Sequence, residues 1–401
     1  SNPIRTLHAL NRAASAKEFK EALRGWQAPS SNFVFADVEG NIGYLLAGHL
    51  PRRKRGSGLT PVPGWSDEYE WEGEIPFEEL PQCDNPESGF IVSANNPAVG
   101  NDYPHHITWD WMNATRAERI EQLLMQKDRH DSASFQAMQV DTHSSLGLRF
   151  LKLCQGVALR RKAAKAGLAV LAPWDGSGHS TSEHMALYQV ALLKAARRVT
   201  KQVLGEELAR QFMGQSSNPV AVLAGHTGRY TAWLIELLEK PERYAKLRQL
   251  APALLSREEL LEESLGSAYL LLCRAYGSDS RLWEWGKLHR LEFKHPLAVN
   301  TVLGWIFNSP TGSAGGDTDT VFQTVLNPQK PSGVEGWCPS FRQVVEMTDD
   351  QHYSSVLATG QSGHPGSKNY LDQFHLWCAG ELRDGRSKIR YELVLKPPTG
   401  K

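Results

Sequence analysis

Only five cysteines occur in the 401 residues, at 83, 154, 273, 338 and 378, and no two stand in a C-x-x-C pair. Zinc-ligand spacing is absent, and at most two disulfides could form within the chain. The apolar surroundings of Cys154 and Cys273 read as those of buried structural thiols. No excess charge of one sign exists either: Lys+Arg and Asp+Glu both number 44. That removes the general electrostatic case for nucleic acid or an anionic membrane as a partner. No apolar run is long enough to cross a membrane, and the first residues lack the basic and apolar regions of a signal peptide. H-E-x-x-H, internal repeats and low-complexity tracts are missing. "GSAGGD" at 312–317 lacks the lysine and following helix of a phosphate loop. "GQSGHP" at 360–365 is not G-x-S-x-G and reads as a turn.

What is present is an ordinary globular composition, 41% hydrophobic and 22% charged. Residues 15–26, "SAKEFKEALRGW", predict a short amphipathic helix with Ser15 as N-cap and Glu18 completing a capping box. "NFVFADVEGNIGYLLAGHL" predicts a hairpin turning at Gly40 and Asn41. The basic run "PRRKRGSG" at 51–58 lies between turns and reads as a solvated loop. From 61 to 97, Pro, Gly and Trp predict turns around short strands, "GFIVSAN" being the most strand-like. Trp65, Tyr69, Trp71 and Phe77 are expected to supply the packing there.

Residues 113–290 carry apolar spacings of three and four, the mark of helices, with Asn113 as a cap and Gly277 as a helix stop. After 300, "TGSAGGDTDTVFQTVLNP", "PSFRQVVEMTDD", "SSVLATGQSGHPGSKNY" and "SKIRYELVLKP" read as short strands. Strands, a helical block and strands again predict an α+β fold, one unit over 1–401. It divides into a hairpin and Pro/Trp-rich strand region (1–112), a helical region (113–290) and a returning strand region (291–401).

Two residues in this frame carry chemistry. Asn95, after an apolar run and before Asn96–Pro97, is a turn former by type. Its amide is also a neutral donor suited to a developing oxyanion. Arg116 falls in the first turn of a predicted helix, where a cation opposes the helix dipole, so a specific partner is expected. His105 and His106 are adjacent, and a hydrogen-bonded or solvent-facing pair is expected rather than a metal pair.

In order along the chain, "NFVFADVEGNIGYLLAGHLPRR", "PVPGW", "WEGEIPFEELP", "NPESGFIVSANN", "WDG", "GGDTDTV", "SFRQVVEM" and "GQSGHPGSKNYLDQ" resemble the penicillin amidase family. These are N-terminal nucleophile hydrolases of acylated small molecules, such as β-lactam antibiotics or N-acyl homoserine lactones. The resemblance covers about 10–395 and is to the later part of the β chain. It implies an αββα sandwich of antiparallel sheets with a helical region. It implies Asn95 as the oxyanion-hole donor and Arg116 as its support. It implies an autoproteolytic precursor, exported to the periplasm or secreted, whose partners are the α chain and the N-terminal part of the β chain.

The family nucleophile is a serine leading directly into a strand. Here Ser1–Asn2 leads into "PIRTLHALNRAASAKEF", which resembles a segment well downstream of that serine. Ser1 is therefore expected to be a cloning remnant or an internal stretch exposed by cleavage, not the nucleophile, and the chain alone is expected to be inert. No metal or cofactor is expected. Calcium belongs to the full family enzyme, and the position nearest one of its ligands here falls close to His105, no natural oxygen ligand. Asp317 and Gln361 are expected to hold loops. The alternative is a non-catalytic binding or structural module that keeps the fold.

Overall fold

A computed structural model describes residues 3–215, 228–326, 338–348 and 352–385. Helices α1 (Pro3–Leu10) and α2 (Ala16–Ala22) lead in. Ser15 caps α2, its hydroxyl accepting from the Glu18 N–H at 3.2 Å. The expected capping box is only half made, because Glu18 reaches back to the Ala14 N–H instead of that of Ser15. The hairpin follows as β1 (Ser31–Ala36) and β2 (Ile42–Ala47), antiparallel with Ala36 opposite Ile42. Its five-residue turn is built by Asp37, whose carboxylate accepts from the N–H groups of Glu39 and Asn41. Gly40 sits at φ +89°, while Asn41 keeps a negative φ.

The basic run begins as a strand, β3 (Pro51–Arg53), paired with β4 (Trp71–Glu74). β5 (Gln82–Asp84) adds to the far edge of β2, giving the sheet order β1-β2-β5. Two expectations fail here. Residues 89–95 form no strand, because the chain leaves β5 as an irregular loop that starts at Gly89 with φ +73°. Of the four aromatics expected to pack, Trp65 and Trp71 point to solvent, 88% and 61% exposed, while Phe77 packs against a local core built from Leu23, Phe35, Leu45, Ile75 and Leu80.

The helical block contains α3 (Thr115–Leu124), α4 (Ser132–Gln139), α5 (Ser145–Gln155), α6 (Lys162–Leu171), α7 (Glu183–Phe212), α8 (Arg229–Glu239), α9 (Pro241–Leu250), α10 (Arg257–Tyr276) and the short α11 (Trp285–Leu288). Most residues from Met185 to Thr200 are buried, so the first half of α7 runs through the middle of the block, while its second half, with Lys201, Glu206 and Glu207, faces solvent. It breaks at Gly205, φ +77°. α10 crosses α6 closely because Gly266 faces Ala164 and Gly167 faces Leu265; an added Cβ at Gly266 would lie 3.3 Å from the Ala164 nitrogen. The largest core, with Phe150, Leu187, Leu234, Leu261 and Trp283, lies here. Cys154 is buried, Cys273 only partly, and all five cysteines are free thiols.

β6 (Arg290–Leu291) pairs with β7 (Gly312–Ser313), with α12 (Thr301–Phe307) between them. Past β7 the expected strands of 314–326 are replaced by a tight buried loop held by side chains. β8 (Phe341–Val345), β9 (Tyr353–Leu357) and β10 (Arg383–Asp384) form a second antiparallel sheet in the order β10-β9-β8, with α13 (Phe374–Ala379) packed beside it. The strand expected in "SKIRYELVLKP" lies outside the described residues. β1, β2 and β8 border one cavity of about 510 Å³, lined by Val34, Phe35, Ile42, Phe135 and Val345 among others. Among the described residues all strand pairing is antiparallel, and the fold is the α+β mixture that the residue pattern predicts.

Candidate functional site

The site is set by the loop between β5 and α3. Asn85 anchors its start: its side chain accepts from the Ile42 N–H at 2.8 Å and donates to Asn41 at 3.0 Å. Ten residues on, Asn95 adopts φ +64°, a left-handed conformation that Asn tolerates better than other residues with a Cβ. Its backbone carbonyl accepts from the Met112 N–H at 2.9 Å. Asn96 accepts from the Ala94 N–H at 3.0 Å, so the two asparagines of "SANNP" divide the work of shaping the turn.

Arg116, in the first turn of α3, reaches this turn. One of its nitrogens, Nη2, donates to the Asn95 side-chain oxygen at 2.7 Å and to the Ala94 carbonyl at 2.8 Å. Arginine has donors only, so the amide end that meets it must be the oxygen. Asn95 is exposed, and with its oxygen held by Arg116 the Nδ2 end of the amide keeps its two N–H donors for another acceptor. Burial depresses the Arg116 pKa, and the charge of Asp319 works against that depression. The sequence expects a partner for this cation. The partner in contact is the very asparagine that the resemblance selects.

Behind Arg116 lies the loop of "GGDTDTV". Gly316 sits at φ +76°, and a Cβ there would fall 2.3 Å from the Phe322 carbonyl. Asp317 and Asp319 are both buried, 2% and 3% exposed. Asp317 accepts from Gln189 Nε2 at 2.5 Å and from the Asp319 N–H at 2.8 Å, which ties the loop to α7. Asp319 accepts from Asn113 Nδ2 at 2.7 Å and from the Thr231 hydroxyl at 2.6 Å, which ties it to the start of α3 and to α8. Burial pushes Asp317 up to about 7, the neighbouring Asp319 adding to the rise. Burial also raises Asp319, while its two hydrogen bonds and Arg116 pull the other way. Asp317 holds its loop, as expected. Asp319 goes unmarked in the sequence reading; two acids one residue apart between a glycine pair and an apolar run were the available signal.

The sequence model of the penicillin amidase family matches residues 1–388. The chain belongs to the penicillin amidase family. It is 28% identical over 396 residues to an acyl-homoserine lactone acylase, QuiP, of Pseudomonas syringae pv. tomato, covering 93% of this chain and 46% of that one. It is 31% identical over 377 residues to a penicillin acylase 2 proenzyme of Pseudomonas sp. strain SE83, covering 92% and 46%. The chain thus spans about half the length of these curated relatives. Its fold is that of a thermostable penicillin G acylase from Alcaligenes faecalis, with a TM-score of 0.64 at 19% identity over 98% of this chain and 73% of that one.

The remaining expected residues fall away from Asn95. His105 Nε2 meets Glu79 Oε2 at 2.6 Å, and the His106 ring packs against Trp109 with centroids 5.3 Å apart. Among the described residues, no three His, Cys, Asp or Glu side chains gather as a metal site. Gln361 is exposed in its turn. Ser1 lies outside the described residues.

Proposed function

We propose that this member of the penicillin amidase family supplies the oxyanion-stabilising part of an acyl-amide hydrolase. The observation that carries the reading is the Arg116–Asn95 contact, which holds the amide oxygen and keeps the Asn95 Nδ2 donors for another acceptor. In the reaction, an N-terminal serine attacks the acyl carbonyl, with its own α-amine as base. Negative charge grows on the carbonyl oxygen, and Asn95 Nδ2 donates to it. Collapse expels the amine and leaves an acyl-enzyme, which water resolves to the free acid. Arg116 touches neither substrate nor serine in this scheme; it holds the amide so that no reorganisation is needed as charge develops.

The serine belongs, in this reading, to polypeptide beyond these 401 residues, as do the α chain and the acyl pocket. Its support is the coverage of the relatives, of which this chain spans about half. The substrate is an N-acyl homoserine lactone or an acylated β-lactam, the two classes named in those relatives. Autoproteolytic maturation and export to the periplasm or beyond complete the proposal.

The test is hydrolysis of a chromogenic phenylacetyl amide and of a long-chain acyl-homoserine lactone. This chain, its Ser1→Ala variant and the longer polypeptide are compared. Cleavage by the longer polypeptide alone, reduced about 100- to 1,000-fold in kcat by Asn95→Ala, is expected. Cleavage by this chain that disappears in Ser1→Ala would overturn the assignment of the nucleophile.

A further inference from the structure

We infer that Asp319 is a positioning residue for Asn95, acting through Asn113 and Arg116. The inference deepens the hydrolase reading and takes from it only the role of Asn95.

Among the described residues, Arg116 has no acid in direct contact. Its acceptors, the Ala94 carbonyl and the Asn95 amide oxygen, are both neutral. Among the described residues, none places a carboxylate within ion-pair distance of it. A guanidinium withdrawn from water and left with neutral partners is costly, so a charge must balance it from the next layer. Asp319 is the acid that offsets part of that cost, acting on Arg116 as an opposite charge.

Asp319 is also built into the same helix start. Its Oδ1 takes the Asn113 Nδ2, and the Asn113 Oδ1 accepts from the Thr115 N–H at 3.0 Å. The N-cap position itself is Ala114, one residue later than the sequence predicts, and Asn113 instead caps the first N–H of α3 with one end of its amide and holds Asp319 with the other. The residue after Thr115 is Arg116. Thr231 on α8 closes the second oxygen of Asp319, so the carboxylate is fixed from two helices. The chain of contacts runs Asp319, Asn113, the first turn of α3, Arg116, Asn95. The hydrogen bonds at the two ends of this chain have a fixed direction, because arginine only donates and an ionised carboxylate only accepts.

The competing view is that Asp319 merely glues a loop to two helices. The two are separated by reading Asn95 itself in the whole chain, without reference to turnover. With asparagine labelled in 15N, the side-chain amide signal of Asn95 is identified by its loss in Asn95→Ser. Asp319→Asn keeps shape and removes charge. It is expected to shift that signal and to raise the solvent exchange of its protons several-fold, as the amide loses its fixed direction. Gly266→Ala, which presses a Cβ against the Ala164 backbone where α10 crosses α6, serves as the control that lowers Tm alone. An Asn95 signal that moves no more in Asp319→Asn than in Gly266→Ala would overturn the inference. If Asp319→Asn fails to fold, Asn113→Ser decides: serine still caps Thr115 but drops Asp319. A shifted Asn95 amide then supports the link and an unmoved one overturns it. Failure of the hydrolase reading would leave these spectra as they are, so the two outcomes stay distinct.

Discussion

Arg119 and Asp141 meet as two parallel hydrogen bonds, Nε to Oδ1 at 3.0 Å and Nη2 to Oδ2 at 2.7 Å. The pair joins α3 to the segment between α4 and α5. Asp141 is doubly committed, since its backbone carbonyl accepts from the Phe322 N–H at 2.9 Å, beside the acid loop. Arg119 lies three residues after Arg116, so the bridge fixes the helix that aims at Asn95.

Breaking this bridge should cost more than removing an exposed pair. The two side chains are 18% and 15% exposed, and the fork geometry leaves little slack. Arg119→Ala strands a half-buried carboxylate, and about 2–4 kcal/mol of stability should be lost. Arg119→Lys keeps the charge but only one prong, and should recover part of it. Urea unfolding of both variants checks the order. Equal stability for Arg119→Ala and the parent chain would mean that the bridge is idle.

A glycine in β2 gives a second test. Gly43 stands opposite Phe35 in the hairpin register, and a Cβ there would lie 2.3 Å from the Phe35 ring. Gly43→Ala must displace a ring that belongs to the local core. A loss of about 1–3 kcal/mol is expected, as for other overpacked positions. Phe35→Leu should shrink the penalty when combined with it, because the two residues are in contact. Thermal melts of the two single variants and the double variant measure the coupling.

Two buried groups make stability depend on pH in opposite directions. His289 is wholly buried, stacked on Trp285 at 4.4 Å and bonded to the Thr324 hydroxyl, and burial drives its pKa down to about 3. Unfolded, it titrates near 6.5, so the unfolded chain takes up a proton that the folded one refuses. Its contribution is present above about pH 6.5 and is lost as pH falls toward 3. Asp317 does the reverse. Raised to about 7 in the folded chain, it contributes fully below about pH 4 and loses that contribution as pH rises through 7. His289→Phe removes only the first effect, and Thr324 keeps its bond to the Gly315 carbonyl. The stability difference between parent and variant should therefore grow as pH rises from 4 to 6.5. A difference independent of pH would show that His289 takes up its proton in the folded chain.

The readable parts of the sequence were those governed by local rules. Ser15 capped its helix, Gly40 turned its hairpin, and the apolar spacing of 113–290 produced helices. The misread parts depended on partners distant in the chain. "GFIVSAN" has the composition of a strand, but composition cannot supply a neighbouring edge, and the backbone there was drawn instead into the turn that Asn95 and Met112 close. "GGDTDTV" became a buried loop because Gln189, Asn113 and Thr231, each some ninety or more residues away, satisfy its two acids. Asn95 and Arg116 stand out by residue type and position, and the family resemblance gives them roles; their contact, 21 residues apart in sequence, is visible only in three dimensions.

The positive φ of Asn95 separates its backbone from its chemistry. At φ +64°, glycine fits without strain, whereas alanine carries a Cβ into a region it disfavours by about 1 kcal/mol. Both variants take an acceptor from Arg116, so Asn95→Gly should melt below the parent chain and Asn95→Ala lower still. Both delete the amide, so in the hydrolase we propose both should lose turnover equally, about 100- to 1,000-fold in kcat, with KM little changed. Equal losses with unequal melting temperatures would assign the effect to the Nδ2 donors. If Asn95→Gly keeps full turnover while Asn95→Ala loses it, the turn's conformation is what matters, and the oxyanion donor must be sought elsewhere.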